Sequence, residues 1–460
     1  MTELAFLSLV EAADAVAKGE VTSAALLDAC LARLDLVNPA LNAVIWEDRA
    51  TAAGGRGKLG GIPLAHKDMF YQAGRRCTCG SEIRRDFVPT ITATVIERLA
   101  AAGASAFAGL NMAEFAQNPT GHNRAFGDCH NPWNLPYITG GSSSGSGAAV
   151  AAGMTFASLG SDTGGSVRLP ASACGITGIK PTQTRVSRHG AMPLSFSADN
   201  VGPLARSARD CARMLGIIAG HDPLDPTSST EPVPDYEAGL DGDIRGMRVG
   251  VPTNAFVDTA EDPIRAAFEA ALQVLEGRGA RVIRLELPLL EAINAYGGVV
   301  SRVEAAAIHA RWMRDRPQDY AVYLSARLYP GYAIPGTYYV ESLSRRGPVL
   351  QDFATRVFAQ VDLLAMPTIP TCLPTLAETD IETGPPGCEK KFLAVSVNTR
   401  PFNYLGLPAT SQPCGLDPNG LPIGLQLAGR PFDEGRLLRV ADAFQRDTRF
   451  HLRRPPVTAE

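Results

Sequence analysis

The sequence predicts an α/β fold, and three observations carry the prediction. Strand-like and helix-like segments alternate along most of the 460 residues, as expected of a sheet with covering helices. Residues 62–66 and 104–110 are short apolar runs of strand length. Helix-like segments open on cap residues and close on glycine, as at Ser8 and Gly19.

Taken in order, the chain opens with two helices. Ser8 and Glu11 form a capping-box pair, Gly19 stops the first helix, and Leu26, Leu27, Cys30, Leu31 and Leu34 give the second an apolar face that Asn38-Pro39 ends. The strand at 62–66 comes next, then a helix through Val95, Ile96 and Leu99 closed by Gly103, and the strand at 104–110. A helix of small residues follows Ser146, and residues 155–161 read as strand. Proline- and aspartate-rich residues 222–245 connect to a second α/β portion. That portion starts with a strand at 247–251, continues with a helix that has Asp262 as N-cap and Pro263 in its first turn, and reaches a strand at 281–287. Residues 290–350 have weaker periodicity and hold Tyr323, Tyr329, Tyr332, Tyr338 and Tyr339, which we read as a candidate pocket wall.

Composition excludes several function classes. The formal charge is −4, from 43 basic and 47 acidic residues, with no block of like charge, which argues against nucleic acid and anionic membranes as partners. The apolar stretch at 148–159 is too short and too rich in glycine to span a bilayer, and no cationic region precedes the apolar residues at the start. The expectation is therefore a soluble, cytoplasmic protein. Nine cysteines lie singly apart from Cys77 and Cys79, without zinc-type pairs, and read as reduced, mostly buried thiols. Only six of the 43 basic residues are lysine, so a lysine in an apolar setting calls for a reason.

Two clusters carry the chemistry: Gly140-Gly141-Ser142-Ser143-Ser144-Gly145-Ser146 and Asp162-Thr163-Gly164-Gly165-Ser166-Val167-Arg168. A glycine-serine loop entering a helix can cradle phosphate, but the first cluster lacks a Walker ending and a dinucleotide-fold context. The same cluster matches a GxSxG nucleophile elbow centred on Ser143, which would need a strand before it and an Asp then a His after it. Residues 134–139 read as loop instead, and His189, His221, His309 and His451 sit in no triad context. No lysine has a serine three residues before it, which removes the SxxK arrangement. What remains is a serine activated by a lysine from elsewhere in the chain. Lys67, at the end of the strand in Gly61-Ile62-Pro63-Leu64-Ala65-His66-Lys67-Asp68, fits best. Burial would disfavour its charged form, and a neutral amine is what a general base requires. The competing reading is a surface lysine paired with Asp68, while His66 reads as structural.

Together these segments resemble the amidase signature family, over nearly the whole chain. The most specific stretch holds GGSSSGS, SDTGGSVRLPAS, Cys174-Gly175 and Gly178-Ile179-Lys180-Pro181-Thr182, with Ser166 placed 24 positions after Ser142. Asn111-Met112-Ala113-Glu114-Phe115, Met366-Pro367-Thr368, Phe402-Asn403 and the run from Gly420 to Gln426 are further landmarks. The resemblance implies one α/β domain over 1–460, with a central mixed twisted sheet of about eleven strands covered by helices on both faces. Its parts would be N-terminal helices at 1–40, a core at 60–210, a variable portion at 245–350 and a return to the core at 351–450. The N-terminal helices would pack outside or serve in homodimer contacts.

The resemblance also assigns roles. Ser166 would be the nucleophile, Ser142 a serine at a cis peptide bond, and Lys67 the base, with no metal or organic cofactor. Thr163, Gly164, Gly165 and Ser166 would turn their N–H groups to the oxyanion, and Ser143, Asp162 and Arg168 would support the site. Asp162 and Arg168 read first as a pair that holds the loop and second, for Arg168, as a carboxylate binder. Ala116, Gln117, Asn118, Met192 and the residues up to Phe196 are candidates for the substrate pocket. The implied activity is cleavage of the C–N bond in a small amide, with an aryl group favoured by the tyrosines. Alternatives are the A-type glutaminase component of a tRNA-dependent amidotransferase, which needs partner subunits, and a urethanase that cleaves carbamates.

Overall fold

The capping box at the start forms as expected: Glu11 N–H donates to Ser8 Oγ at 3.1 Å and Ser8 N–H to the Glu11 carboxylate at 2.8 Å, opening the helix Leu9–Ala17. The computed structural model describes residues 2–51 and 55–457 of the chain. The next helix, Ser23–Leu41, buries Leu26, Cys30 and Leu34 in the chain's own core, so its apolar face is covered within the protomer. It runs past Pro39 rather than ending there. The carbonyl that Pro39 leaves without its helical donor belongs to exposed Asp35, which water can reach, and the end is fixed by Asn42 in the left-handed region.

Among the described residues eleven strands follow: β1 (Val44–Glu47), β2 (Pro63–Lys67), β3 (Ser105–Leu110), β4 (Ala157–Ser161), β5 (Thr177–Lys180), β6 (Val201–Ala205), β7 (Arg248–Pro252), β8 (Arg281–Leu285), β9 (Leu363–Pro367), β10 (Ala409–Leu416) and β11 (Pro422–Ala428). Eight of them form a mixed sheet in the order β4-β6-β5-β10-β11-β9-β7-β8. β7 pairs in parallel with β8 and β9, and the other neighbours are antiparallel. Every residue of β4, β5, β6, β9 and β11 is buried, as a sheet with helices on both faces requires.

The other three strands form a separate sheet, β1-β3-β2, whose β2 edge runs beside β4. Side chains bridge this seam where a ladder would. Ala65 N–H donates to Thr155 Oγ1 at 3.0 Å and Leu159 N–H to His66 Nδ1 at 3.1 Å. His66 is thereby fixed with Nδ1 as acceptor, and burial pushes its pKa down to about 3, so the ring stays neutral. The seam carries β2 and β4 in the same direction, and their C-terminal ends emerge together.

In the second α/β portion the helix Asp262–Gly277 begins one residue earlier than expected. Glu261 is its N-cap, Asp262 its first residue, and Pro263 sits in the first turn, where its missing N–H is harmless. Residues 290–358 are mainly helical, as Leu290–Asp315, Val322–Ala333 and Gly336–Phe358. The tyrosines there do not line the cavity described below. Tyr329, Tyr332 and Tyr338 are about half exposed, Tyr323 is buried, and Tyr339 donates its hydroxyl to Glu304 at 2.9 Å. The preference for aryl amides therefore loses its support. No helix among the described residues is long and apolar enough to cross a membrane.

Candidate active site

The paired strand ends bring two distant residues into contact. Lys67 closes β2 and Ser161 closes β4, and Lys67 Nζ donates to Ser161 Oγ at 2.8 Å and to Ser142 Oγ at 2.7 Å. Lys67 is 1% exposed, and Asp68 turns elsewhere, accepting from Trp46 Nε1 at 3.0 Å and Thr78 N–H at 2.8 Å. The surface pair Lys67–Asp68 is thus excluded. Burial pushes Lys67 down to about 7, against the opposing charges of Asp162 and Asp199.

Ser142 is held by its backbone. The Gly141–Ser142 peptide is cis, Gly141 N–H donates to Pro119 O at 2.7 Å, and Ser142 O accepts from Ala113 N–H at 3.0 Å. A Cβ on Gly141 would sit 2.7 Å from both Asn118 O and Gly121 N, so only glycine fits. The helix Ser144–Ala151 starts directly after this turn. Ser143 is buried, and its hydroxyl reaches Ser161 O at 3.5 Å, the outer limit of a hydrogen bond.

Ser166 precedes the helix Arg168–Cys174 and borders a cavity of about 480 Å³. Among the described residues its hydroxyl has no hydrogen-bond partner. Thr163 and Gly164 border the same cavity, and the N–H groups of Thr163, Gly164 and Ser166 have no protein acceptor among the described residues. Gly165 departs from expectation. Its N–H donates to Asp162 Oδ1 at 2.8 Å, which removes it from the oxyanion donors. Its φ of +132° places a Cβ 2.3 Å from Thr399 Oγ1, so glycine is required there for the turn rather than for donation.

Arg168 and Asp162 are both fully buried and joined twice, Nη2 to Oδ1 at 2.9 Å and Nε to Oδ2 at 3.0 Å. The remaining guanidinium donors go to Thr399 O at 3.0 Å, Gln426 Oε1 at 2.7 Å and Asn403 Oδ1 at 2.7 Å. All five donors are used, so Arg168 holds the loop and has none left for a substrate carboxylate. Burial alone would raise the Asp162 carboxyl, but the charge and hydrogen bonds of Arg168, with Lys180 and Asn403, hold it well below the usual carboxylate range. Arg168→Met strands that carboxylate and is expected to cost about 3–5 kcal/mol of stability. Urea unfolding of the variant checks this, and a loss below about 1 kcal/mol, the scale of an exposed pair, would contradict it.

Of the pocket candidates, Ala116, Gln117 and Asn118 line the cavity. Asn118 is committed to its own turn, accepting from Gly121 N–H at 2.8 Å and donating to His122 O at 2.8 Å. Gln117 Nε2 is buried without an acceptor among the described residues. Met192 does not line the cavity. It is buried in the core, where its sulfur takes Arg84 Nη1 at 3.2 Å, and Leu194 reaches the cavity instead.

Sequence reasoning missed Ser161, Thr399, Asn403 as a side-chain partner, and Asp199. Asp199 accepts from Thr163 Oγ1 at 2.5 Å and so fixes the start of the Ser166 loop. Ser161 was open to discovery, being the first residue of SDTGGS and at the end of an apolar strand. Asn403 belongs to a landmark pair but carried no assigned contact, and nothing local marks Thr399 or Asp199, which reach the site from other segments.

A buried lysine on a serine, a second serine on a glycine-rich turn and a cavity beside it thus lie together on an α/β scaffold. The family model described as Amidase matches residues 25–438, and the chain belongs to that family. It is an enzyme of the class acting on carbon-nitrogen bonds. The chain is 41% identical to the A-type component of the glutamyl-tRNA(Gln) amidotransferase of Roseiflexus sp. (strain RS-1), covering 100% of both chains. Among solved structures it resembles the same component from Thermotoga maritima, with a TM-score of 0.84 and 32% identity over 97% of this chain and 95% of the other. It also resembles a 6-aminohexanoate cyclic dimer hydrolase, with a TM-score of 0.90 and 28% identity over 98% of this chain and 99% of the other.

Proposed function

We propose that the chain is a serine amidohydrolase in which Ser166 forms an acyl-enzyme and Ser142 and Lys67 move the proton. The observation that carries this is the 2.7 Å bond from fully buried Lys67 to Ser142, beside a serine that opens on a cavity. Ser166 Oγ attacks the amide carbon while its proton passes to Ser142, whose own proton passes to Lys67. The charge that develops on the carbonyl oxygen meets the N–H groups of Thr163, Gly164 and Ser166. The C–N bond then breaks as Ser142 protonates the nitrogen, and Lys67 returns the proton to Ser142. Water enters by the same relay and releases the acid. An amine anion is a very poor leaving group, so this proton delivery suits amides more than esters.

The relatives' names support the second reading more strongly than they support a small-molecule amidase. Full-length relatives near 41% identity are named as the A-type component of a glutamyl-tRNA(Gln) amidotransferase, which would make glutamine the amide and partner subunits necessary. The 6-aminohexanoate cyclic dimer hydrolase supports the first reading. Release of ammonia or amine from primary amides, anilides, aryl carbamates, esters and glutamine, with Ser166→Ala as blank, tests both. Turnover by the chain alone is the expected result. Turnover of glutamine that appears only with added partner subunits would establish the second reading, and activity retained by Ser166→Ala would refute both.

A further inference from the structure

We propose that the cavity selects an amide whose acyl part carries a carboxylate and no ammonium group, read by Arg327, Arg400 and Arg302. The proposal rests on the acyl-transfer reading above and names its substrate class.

The lining is unbalanced in charge. Four arginines border the cavity with Ser166, and among the described residues no aspartate or glutamate does. Arg346 is committed to the protein, donating to Tyr404 O at 2.6 Å and Asn403 O at 3.2 Å. The guanidinium groups of the other three have no hydrogen-bond or ion-pair partner among the described residues. They come from three separate segments, the helices Leu290–Asp315, Val322–Ala333 and Arg400–Tyr404, so their convergence is a product of the tertiary fold and not a charged stripe on one helix. Other enclosed arginines find carboxylates, as at Arg168–Asp162 and Arg213–Glu237, or backbone carbonyls, as at Arg33 and Arg206.

Position and burial give each arginine a distinct part. The Arg400 stem lies against the nucleophile loop, its Cγ 3.7 Å from where a Cβ on Gly164 would sit. Arg327 stacks over the Phe392 ring at 5.9 Å, and its Nε is shielded from solvent with no acceptor among the described residues. Arg302 is exposed and sits at the rim. Burial, with the neighbouring charges of Arg400 and Arg302, pulls Arg327 down to about 10. Like charges gathered in a partly dry pocket are costly unless an anion completes them, and the guanidinium fork matches a carboxylate. Leu169, Leu194, Ile293 and Val300 line the same space and suit a short methylene spacer. An ammonium group in this cavity would face three cations and find no carboxylate, which disfavours glutamine as a substrate.

The test compares each half-amide with an amide of matching size, succinamate with 4-oxopentanamide and glutaramate with L-glutamine. Hydrolysis adds water across the C–N bond, giving succinate or glutarate and ammonia from succinamate or glutaramate. We expect kcat/KM for these half-amides to exceed that for neutral 4-oxopentanamide and for L-glutamine by at least about tenfold to a hundredfold, the worth of one or two charged hydrogen bonds. Calorimetric binding of glutarate to Ser166→Ala, which turns nothing over, is expected to weaken about tenfold or more when Arg327→Gln or Arg400→Gln is added. Equal or better turnover of the neutral amide or glutamine overturns the proposal, as does glutarate binding that both arginine changes leave intact. Inorganic phosphate binding more tightly than glutarate overturns the carboxylate assignment. In each of these cases fluorophosphonate labelling of Ser166 leaves the acyl-transfer reading standing. Absence of labelling together with absence of turnover removes that reading and this one with it.

Discussion

Ser166→Ala is expected to lower turnover by on the order of 10⁶, the scale seen when a hydrolase loses its serine nucleophile, and to abolish covalent labelling by a fluorophosphonate. The fold should be unaffected. The Ser166 hydroxyl has no protein partner among the described residues, so its removal strands no buried donor or acceptor. The residue borders an existing cavity, so the change leaves no closed void. Intact-protein mass spectrometry after labelling, with a melting curve, reads both halves of the expectation. A labelled or active Ser166→Ala protein would move the nucleophile elsewhere.

Lys67→Met is expected to cost about 10²–10⁴ in kcat/KM, the usual share of a positioned general base. The wild-type pH profile carries the sign. The base acts only when neutral, and burial sets its pKa near 7, so kcat/KM should fall tenfold per unit below about 7 and level off above it. In Lys67→Met that limb should disappear from the residual activity. The variant is a necessary control, because Lys180 is also fully buried and also pushed down to about 7. Lys180 Nζ donates to Pro181 O at 2.8 Å and touches neither serine. The limb persisting in Lys67→Met would assign it to another group.

The same shift has a consequence for stability. A lysine depressed by burial is neutral in the folded chain and charged in the unfolded one between about 7 and its ordinary range. The unfolded state then binds more protons, so stability rises with pH across that window. Lys67→Met should remove the Lys67 share of this rise, and urea midpoints at pH 7 and 9 would measure it.

Much of the site was legible because its residues are of rare type in a rare setting. With six lysines in the chain, one at the end of an apolar strand stands out, and two glycine-serine clusters confine the serines to turns. Gly165 was misread because a glycine in an oxyanion-type loop looks like a donor, and only the fold shows its N–H turned to Asp162. Met192 was misread for the opposite reason. It lies two residues from cavity-lining Leu194 but points into the core.

The tyrosines illustrate the limit of pattern reading. Spacing gathered them in sequence, but helix rotation left Tyr329 and Tyr332 at the surface and brought Arg327 and Pro330 of the same helix to the cavity, while Tyr338 lies exposed on the next helix. Nothing in a local window announces which turn of a weakly amphipathic helix faces inward.

The sequence by itself determined the α/β class, the helix starts at Ser8 and near Asp262, and the turns that carry Ser142 and Ser166, because capping, glycine geometry and apolar runs act over a few residues. The tertiary structure alone decided that β2 and β4 lie side by side through His66 and Thr155, and hence that Lys67 meets Ser142 and Ser161. It alone placed Asn403 and Gln426 on Arg168, and gathered Arg302, Arg327 and Arg400 around one cavity. Apart from the local Arg168–Asp162 pair, the side-chain contacts of Lys67 and Arg168 join residues 75 to 258 positions apart. They are set by how helices and sheets bury their apolar faces, which no short stretch of sequence encodes.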